Sequence, residues 1–299
     1  MKQSTKSREL FVLDGQGVIV QGTYHKTYDC RFGDQSNQTE RSRVGILILN
    51  SMSPTRAAHG DSAVYWADSF AERGYPTFRI DLPGFGDSSG DPHPQLVDFI
   101  NQGGYASSVS AKIKELLIGF DLSGVVLAGQ CAGSVSALYS AAAACTDCKG
   151  LILMDPYFFL PRITKADNTQ ERSASASNTN GGLNHLDVPH GAIPPENANL
   201  LLLHRWKEVT STGMPVLVLK PPSRKSDVTK LIAGDFDYFK YLLELAPPGS
   251  RVDIKMMDGA DPSFAGRFGR VMVRQHIEQW MNSCFPVITD QQCAVTLNS

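Results

Sequence analysis

The chain has 299 residues, 42% of them hydrophobic and 19% charged, with a formal net charge of −2. That length and apolar content allow one large α/β domain or two ordinary ones with a sizeable core. The near-neutral balance excludes nucleic acid or an anionic membrane surface as the main electrostatic partner, and no run approaches the about 18 apolar residues of a membrane span.

The first eight residues are basic, but Glu9 follows them rather than an apolar segment, which argues against a signal peptide. Residues 9–14 and 17–24 read as an antiparallel hairpin, and 44–49 as a buried strand. Residues 61–73 form an amphipathic helix with Ala63, Trp66, Ala67 and Phe70 on one face, stopped by Gly74. A strand at 76–80, a helix at 106–118, a strand at 125–128, a small-residue helix at 134–145 and a strand at 151–154 follow. This alternation is that of a mainly parallel sheet covered on both faces.

From 156 to 213 the pattern breaks into Asn, Ser, Thr, Gly and Pro, which predicts a lid or cap insertion with 199–208 as its most helical part. The core is therefore expected in two parts, 1–155 and 214–299. The second supplies a strand at 214–219, a helix at 236–245, a strand at 252–256 and a last helix at 264–281.

Six cysteines in a chain this long do not make a disulfide framework, so reduced thiols and a cytoplasmic location are expected. Cys145 and Cys148 form a C-x-x-C without a second pair to complete a metal site. They also close a helix, where the dipole does not favour a thiolate. Neither a metal nor a cofactor is expected.

The stretch Gly129-Gln-Cys-Ala-Gly133 follows an apolar strand and precedes a small-residue helix. Strand, G-x-nucleophile-x-G and helix is the layout of a nucleophile elbow, whose glycines allow a sharp turn that lifts the central side chain above the sheet. Here that residue is Cys131. The segment Phe78–Gly90, with Asp81-Leu-Pro-Gly-Phe-Gly-Asp87, resembles the loop two elements before such an elbow. Gly150–Pro156 and Asp258–Phe264 resemble the strand after it and the late loop. On these motifs nearly the whole chain resembles the α/β-hydrolase superfamily, and the cysteine is similar to that of dienelactone hydrolases and of some bacterial hydrolase-like proteins of biosynthetic clusters.

The resemblance implies Cys131 as nucleophile and the backbone N–H of Ala132 as one oxyanion donor. Ser51 or Met52, after the 44–49 strand, would supply the other. The acid falls to Asp227 or Asp155, and Gln130, Tyr157 and Phe158 are expected at the substrate pocket. The late loop departs from the family: Gly259-Ala-Asp-Pro-Ser-Phe264 carries Pro262 where a histidine is usual, and proline cannot exchange a proton. Asp261 beside it would be a poor base for a thiol if its pKa lies near 4. Of the seven histidines, His25 is expected far from the site and His276 on the last helix. His59, His93, His185 and His190 lie in loops bordering the active-site edge, with His59 and His190 the first choices.

A thiol at a helix N-terminus ionises without a histidine, because backbone N–H groups favour the anion. Two functions stay open. One is an acyl-processing enzyme (esterase, thioesterase or acyltransferase) acting on a small-molecule or carrier-bound acyl group. The other is a non-catalytic member that binds a ligand or partner.

Overall fold

The computed structural model describes residues 7–27, 43–50, 52, 55–144, 146–160, 196–222 and 237–287. Eight strands form one sheet in the order β1-β2-β4-β3-β5-β6-β7-β8. They are β1 Arg8–Leu13, β2 Val20–His25, β3 Val44–Leu49, β4 Thr77–Ile80, β5 Gly124–Gln130, β6 Cys148–Met154, β7 Val216–Lys220 and β8 Val252–Met256. β2 runs antiparallel to β1 and β4, and all other pairs are parallel.

The central strands are continuous apolar runs because both faces are covered. Leu47, Leu127, Leu153 and Val218 point into one core. Their neighbours Ile46, Val126, Ile152 and Leu217 point into the other. The first core is closed by α3 (Ala106–Gly119), α4 (Ala132–Ala144), α5 (Leu200–Ser211) and α6 (Tyr238–Leu245). The second is closed by α1 (Ser62–Glu72) and α7 (Arg267–Cys284), joined where Trp66 Nε1 donates to the Arg270 carbonyl.

Several sequence expectations shift. The apolar run ends at Ala128, yet β5 continues to Gln130, because Gly129 pairs with Leu49 and Gln130 with Met154. A short helix, α2 (Leu96–Asn101), was not predicted; two prolines precede it and its six residues are too few for a periodic signal. The last helix starts at Arg267 rather than 264, since residues 261–264 are tied into a turn. Cys148 does not close a helix: it opens β6, buried, with its thiol on the Gly150 carbonyl. Cys145 lies outside the described residues. Within the 156–213 segment, α5 buries Leu202, Leu203 and Trp206 against the sheet. The stems of that segment meet where Phe159 bridges Ala198 and Leu160 N–H donates to the Asn197 carbonyl.

His25 lies on β2 and is 1% exposed. Arg79 Nε donates to its Nε2 at 2.8 Å, so the neutral ring carries its proton on Nδ1, which faces Asp68 Oδ1 at 2.8 Å. Burial first, then Arg79, lower its pKa from 6.5 to about 4, although Asp68 pulls the other way. The unfolded chain binds this proton below 6.5 while the folded protein refuses it until about 4, so stability falls as pH drops through that window. The expected loss is about 3 kcal/mol at the acid end. Urea unfolding at several pH values checks this: the acid-limb slope should flatten in a His25→Gln variant, and an unchanged slope would refute the assignment.

Candidate active site

Cys131 occupies the single residue between β5 and α4, with φ +51°. A left-handed backbone is costly for a side chain with a Cβ, and holding it there needs support from every side. Cys131 N–H donates to the Met154 carbonyl at 2.8 Å, and the Cys131 carbonyl accepts from Ser134 N–H at 2.9 Å. The Ser134 hydroxyl lies 2.6 Å from the Gly129 carbonyl and 3.0 Å from both the carbonyl and the N–H of Met154. This stitch between strand and helix has no signature in the sequence. The two motif glycines are needed for space. A Cβ on Gly133 would stand 2.8 Å from the carbonyls of Leu49 and Asn50, and one on Gly129 would strike the Gly133 carbonyl.

The Cys131 thiol is partly exposed at the start of α4. Ala132 is the first residue of that helix, so no helical carbonyl is placed to accept its N–H, which is oriented as an anion donor. Asn50, against which Gly133 packs, follows β3 and is buried, bringing the start of the next loop to the elbow. Met52 in that loop exposes its side chain; Ser51 lies outside the described residues.

Asp155 follows β6 directly, with φ +49°, on the strand adjoining the elbow. Its Oδ1 accepts from Lys220 Nζ at 2.9 Å, and that ammonium also lies 5.1 Å from the Phe239 ring centre. An ammonium is thus one partner of Asp155. Asp227, His185 and His190 lie outside the described residues. His59 is exposed in a 3-10 turn, where Arg270 Nη1 donates to the carbonyl of the adjacent Gly60 at 2.8 Å. His93 stacks on Phe99 with ring centres 4.6 Å apart and accepts from Gln95 N–H. His276 lies beside Lys255 and Asp253 in a groove between α7 and β8; burial first, then Lys255, lower its pKa, against Asp253.

Two expected pocket residues are placed differently. Phe158 is 1% exposed and meets Trp206 edge to face, so it packs in the core beneath α5. Alternation along the strand-like segment sends Tyr157 and Phe159 the other way, with ring centres 5.7 Å apart. Gln130 is buried, and its Nε2 donates to the Ser263 carbonyl. It fastens the late loop to the elbow.

That loop is held by its own acid. Asp261 accepts from the Ser263 hydroxyl and, at 3.2 Å, from Gly266 N–H. Burial works against ionisation, yet the Ser263 hydroxyl and the N–H groups of Gly266 and Ala265 hold the Asp261 carboxyl below its ordinary value. An acid so well solvated by the loop is weaker still as a base. Tyr157 behaves in the opposite sense. Burial first, then the negative charge of a Cys131 thiolate, then Tyr139 raise its pKa, so its hydroxyl remains a donor. The structure therefore gathers Cys131, Ala132, Asp155, Lys220 and Tyr157 at the carboxyl edge of β5, β6 and β7. Lys220 and the Gln130 tether were not anticipated as parts of it. Among the described residues no cluster of His, Cys, Asp or Glu has a metal-binding arrangement, and no helix is long and apolar enough to cross a membrane.

A family model described as "Alpha/beta hydrolase family" matches residues 57–288. No curated protein matches the sequence. Among solved structures, an esterase of Pyrococcus furiosus, Pf2001, is similar with a TM-score of 0.59 at 10% identity, over 94% of this chain and 93% of its own. Est1E of Butyrivibrio proteoclasticus, solved with ferulic acid bound, has a TM-score of 0.58 at 14% identity, over 93% of this chain and 100% of its own. A predicted CIB-like hydrolase of Thermoplasma acidophilum has a TM-score of 0.52 at 12% identity, over 92% and 99%. At these identities the likeness concerns the fold.

Proposed function

The chain belongs to the alpha/beta hydrolase family, and from that premise we propose that it processes acyl groups through a thioester on Cys131. The observation that carries this reading is the elbow itself: a strained, partly exposed thiol at φ +51° beside the first N–H of α4. The Cys131 thiolate attacks an ester or thioester carbonyl, and the electron pair moves to the oxygen. Ala132 N–H and a backbone N–H of Ser51 or Met52 receive that oxyanion. Collapse expels an alkoxide or thiolate and leaves an acyl-Cys131 thioester. The Tyr157 hydroxyl is kept protonated within electrostatic reach of the thiol. Release then requires an acceptor that brings its own nucleophilicity, such as a thiol or an amine, because Pro262 and the stabilised Asp261 offer water no strong base. Acyl transfer is favoured over hydrolysis for this reason, with Asp227, Asp155, His59 and His190 as the acid–base candidates.

The opposed reading, a non-catalytic binding member, draws on Pro262 and on the tether of its loop to Gln130. Intact-mass analysis after treatment with p-nitrophenyl acetate separates the two. One acetyl group per chain, mapped to Cys131 and absent from Cys131→Ala, is expected, with a burst of nitrophenol of matching stoichiometry. Protein that gains no acetyl group on Cys131 would refute the acyl-enzyme reading.

A further inference from the structure

β8 is the last strand of the sheet, and among the described residues nothing pairs with its outer edge. Which groups it turns outward follows from its parallel pairing with β7. The Arg251 carbonyl accepts from Val216 N–H at 2.8 Å, and Met257 N–H donates to the Lys220 carbonyl at 2.7 Å. Alternate residues of a strand serve opposite neighbours, so Asp253 and Lys255, in step with 251 and 257, turn their N–H and carbonyl groups to β7. Val252, Ile254 and Met256 turn theirs outward.

The side chains sort in the same step. Val252 and Ile254 lie against the first core, and Met256 on the same face is 53% exposed. Asp253 and Lys255 face the groove beside α7, in a 2.9 Å ion pair whose side chains are 50% and 45% exposed.

An open strand edge invites another chain, and charged residues commonly guard it. Such a guard works because two identical copies bring like charges together. The charges on β8 do the reverse. An antiparallel copy related by a two-fold axis through Ile254 sets each Asp253 opposite the partner's Lys255. Ile254 then faces the partner's Ile254, and Val252 faces the partner's Met256, so the outward N–H and carbonyl groups of the two strands close on one another. The Asp253 and Lys255 positions become non-hydrogen-bonded pairs, where facing side chains stand closest, at Cα separations of about 4.5 Å. Moving the axis by one residue sets Asp253 against Asp253, or Lys255 against Lys255. The edge therefore accepts a second copy in this register and repels it in the adjacent ones.

We propose that two copies of this chain pair through β8, antiparallel about Ile254, into a two-fold dimer whose sheet runs on from one copy to the other. The four charges of Asp253 and Lys255 alternate in sign across the axis, and the exposed Met256 is covered by the partner's Val252. A short ladder and exposed ion pairs each contribute little, so the association is expected in the micromolar range. The pairing rests on the fold alone and is independent of the acyl chemistry.

Sedimentation of the full-length protein tests it. The parent should pass from monomer to dimer as its concentration rises from about 1 to about 100 µM. Lys255→Glu makes both charged positions acidic, and Asp253→Lys makes both basic. Each sets like charges opposite one another and should weaken self-association at least tenfold. Mixed together, the two variants should associate as the parent does, because every acidic position again meets a basic one. Ile254→Pro removes an outward N–H that the monomer's own sheet does not use, and should abolish the dimer while the circular dichroism of the fold is kept. A parent that stays monomeric at about 100 µM overturns the proposal. So does a dimer indifferent to these substitutions, or acidic and basic variants that fail to associate on mixing.

Discussion

Replacing Pro262 with histidine is expected to speed loss of the acyl group from Cys131 by about a hundredfold or more, the scale of a positioned general base. The loop carrying Pro262 follows β8 and is tied to the residue before the nucleophile through Gln130 and the Ser263 carbonyl. Position 262 immediately precedes the residue whose carbonyl holds Gln130. The substitution leaves the loop's hydrogen bonds intact, because proline has no N–H to lose and the turn is held by Asp261 and Ser263. Position 262 also does not need a left-handed backbone. Acetylation should keep the rate of the parent protein, while deacylation should rise with pH through the ordinary histidine range near about 6.5. Following the adduct by mass after a single acetylation measures this. Normal acetylation with unchanged deacylation would show that position 262 does not reach the thioester.

Gly129→Ala is expected to cost about 3 kcal/mol or more, the upper range for forced overpacking, and to lower Tm by about 5–10 °C. A Cβ there meets the Gly133 carbonyl and stands 2.7 Å from Ser134 N, both backbone atoms of the first turn of α4. Backbone cannot rotate aside as a side chain would. Moving α4 away would also break the Ser134 hydroxyl stitch to the Gly129 and Met154 carbonyls. The control is Gly119→Ala at the end of α3, where a Cβ meets nothing within 4 Å and the helical backbone tolerates alanine. Calorimetry of the two variants side by side decides the matter: equal melting temperatures would mean that the elbow is not packed as described.

Chemistry at Cys131 and the packing of the elbow can be separated by these experiments. Pro262→His adds a titrating group without altering the packing of the elbow, whereas Gly129→Ala alters that packing without touching any titrating group.

What could be read from the chain were the features that are local in sequence. The strands came from apolar runs, the long helices from their periodic faces, and the elbow from two glycines flanking Cys131, since these depend on neighbours a few residues apart. Pro262 could be read for the same reason, as the wrong residue in a recognisable loop. Phe158 and Gln130 could be seen near the site but not assigned to core or tether, because a one-residue alternation and a partner 133 positions away decide that. The short helix α2 left no pattern. Only the tertiary structure paired Asp155 with Lys220 and buried His25 between Asp68 and Arg79. The strand order brings together side chains far apart in the chain, and burial there removes the water that would otherwise satisfy them. Local sterics and periodicity thus determined the fold and the place of the thiol; which polar groups meet was decided by packing.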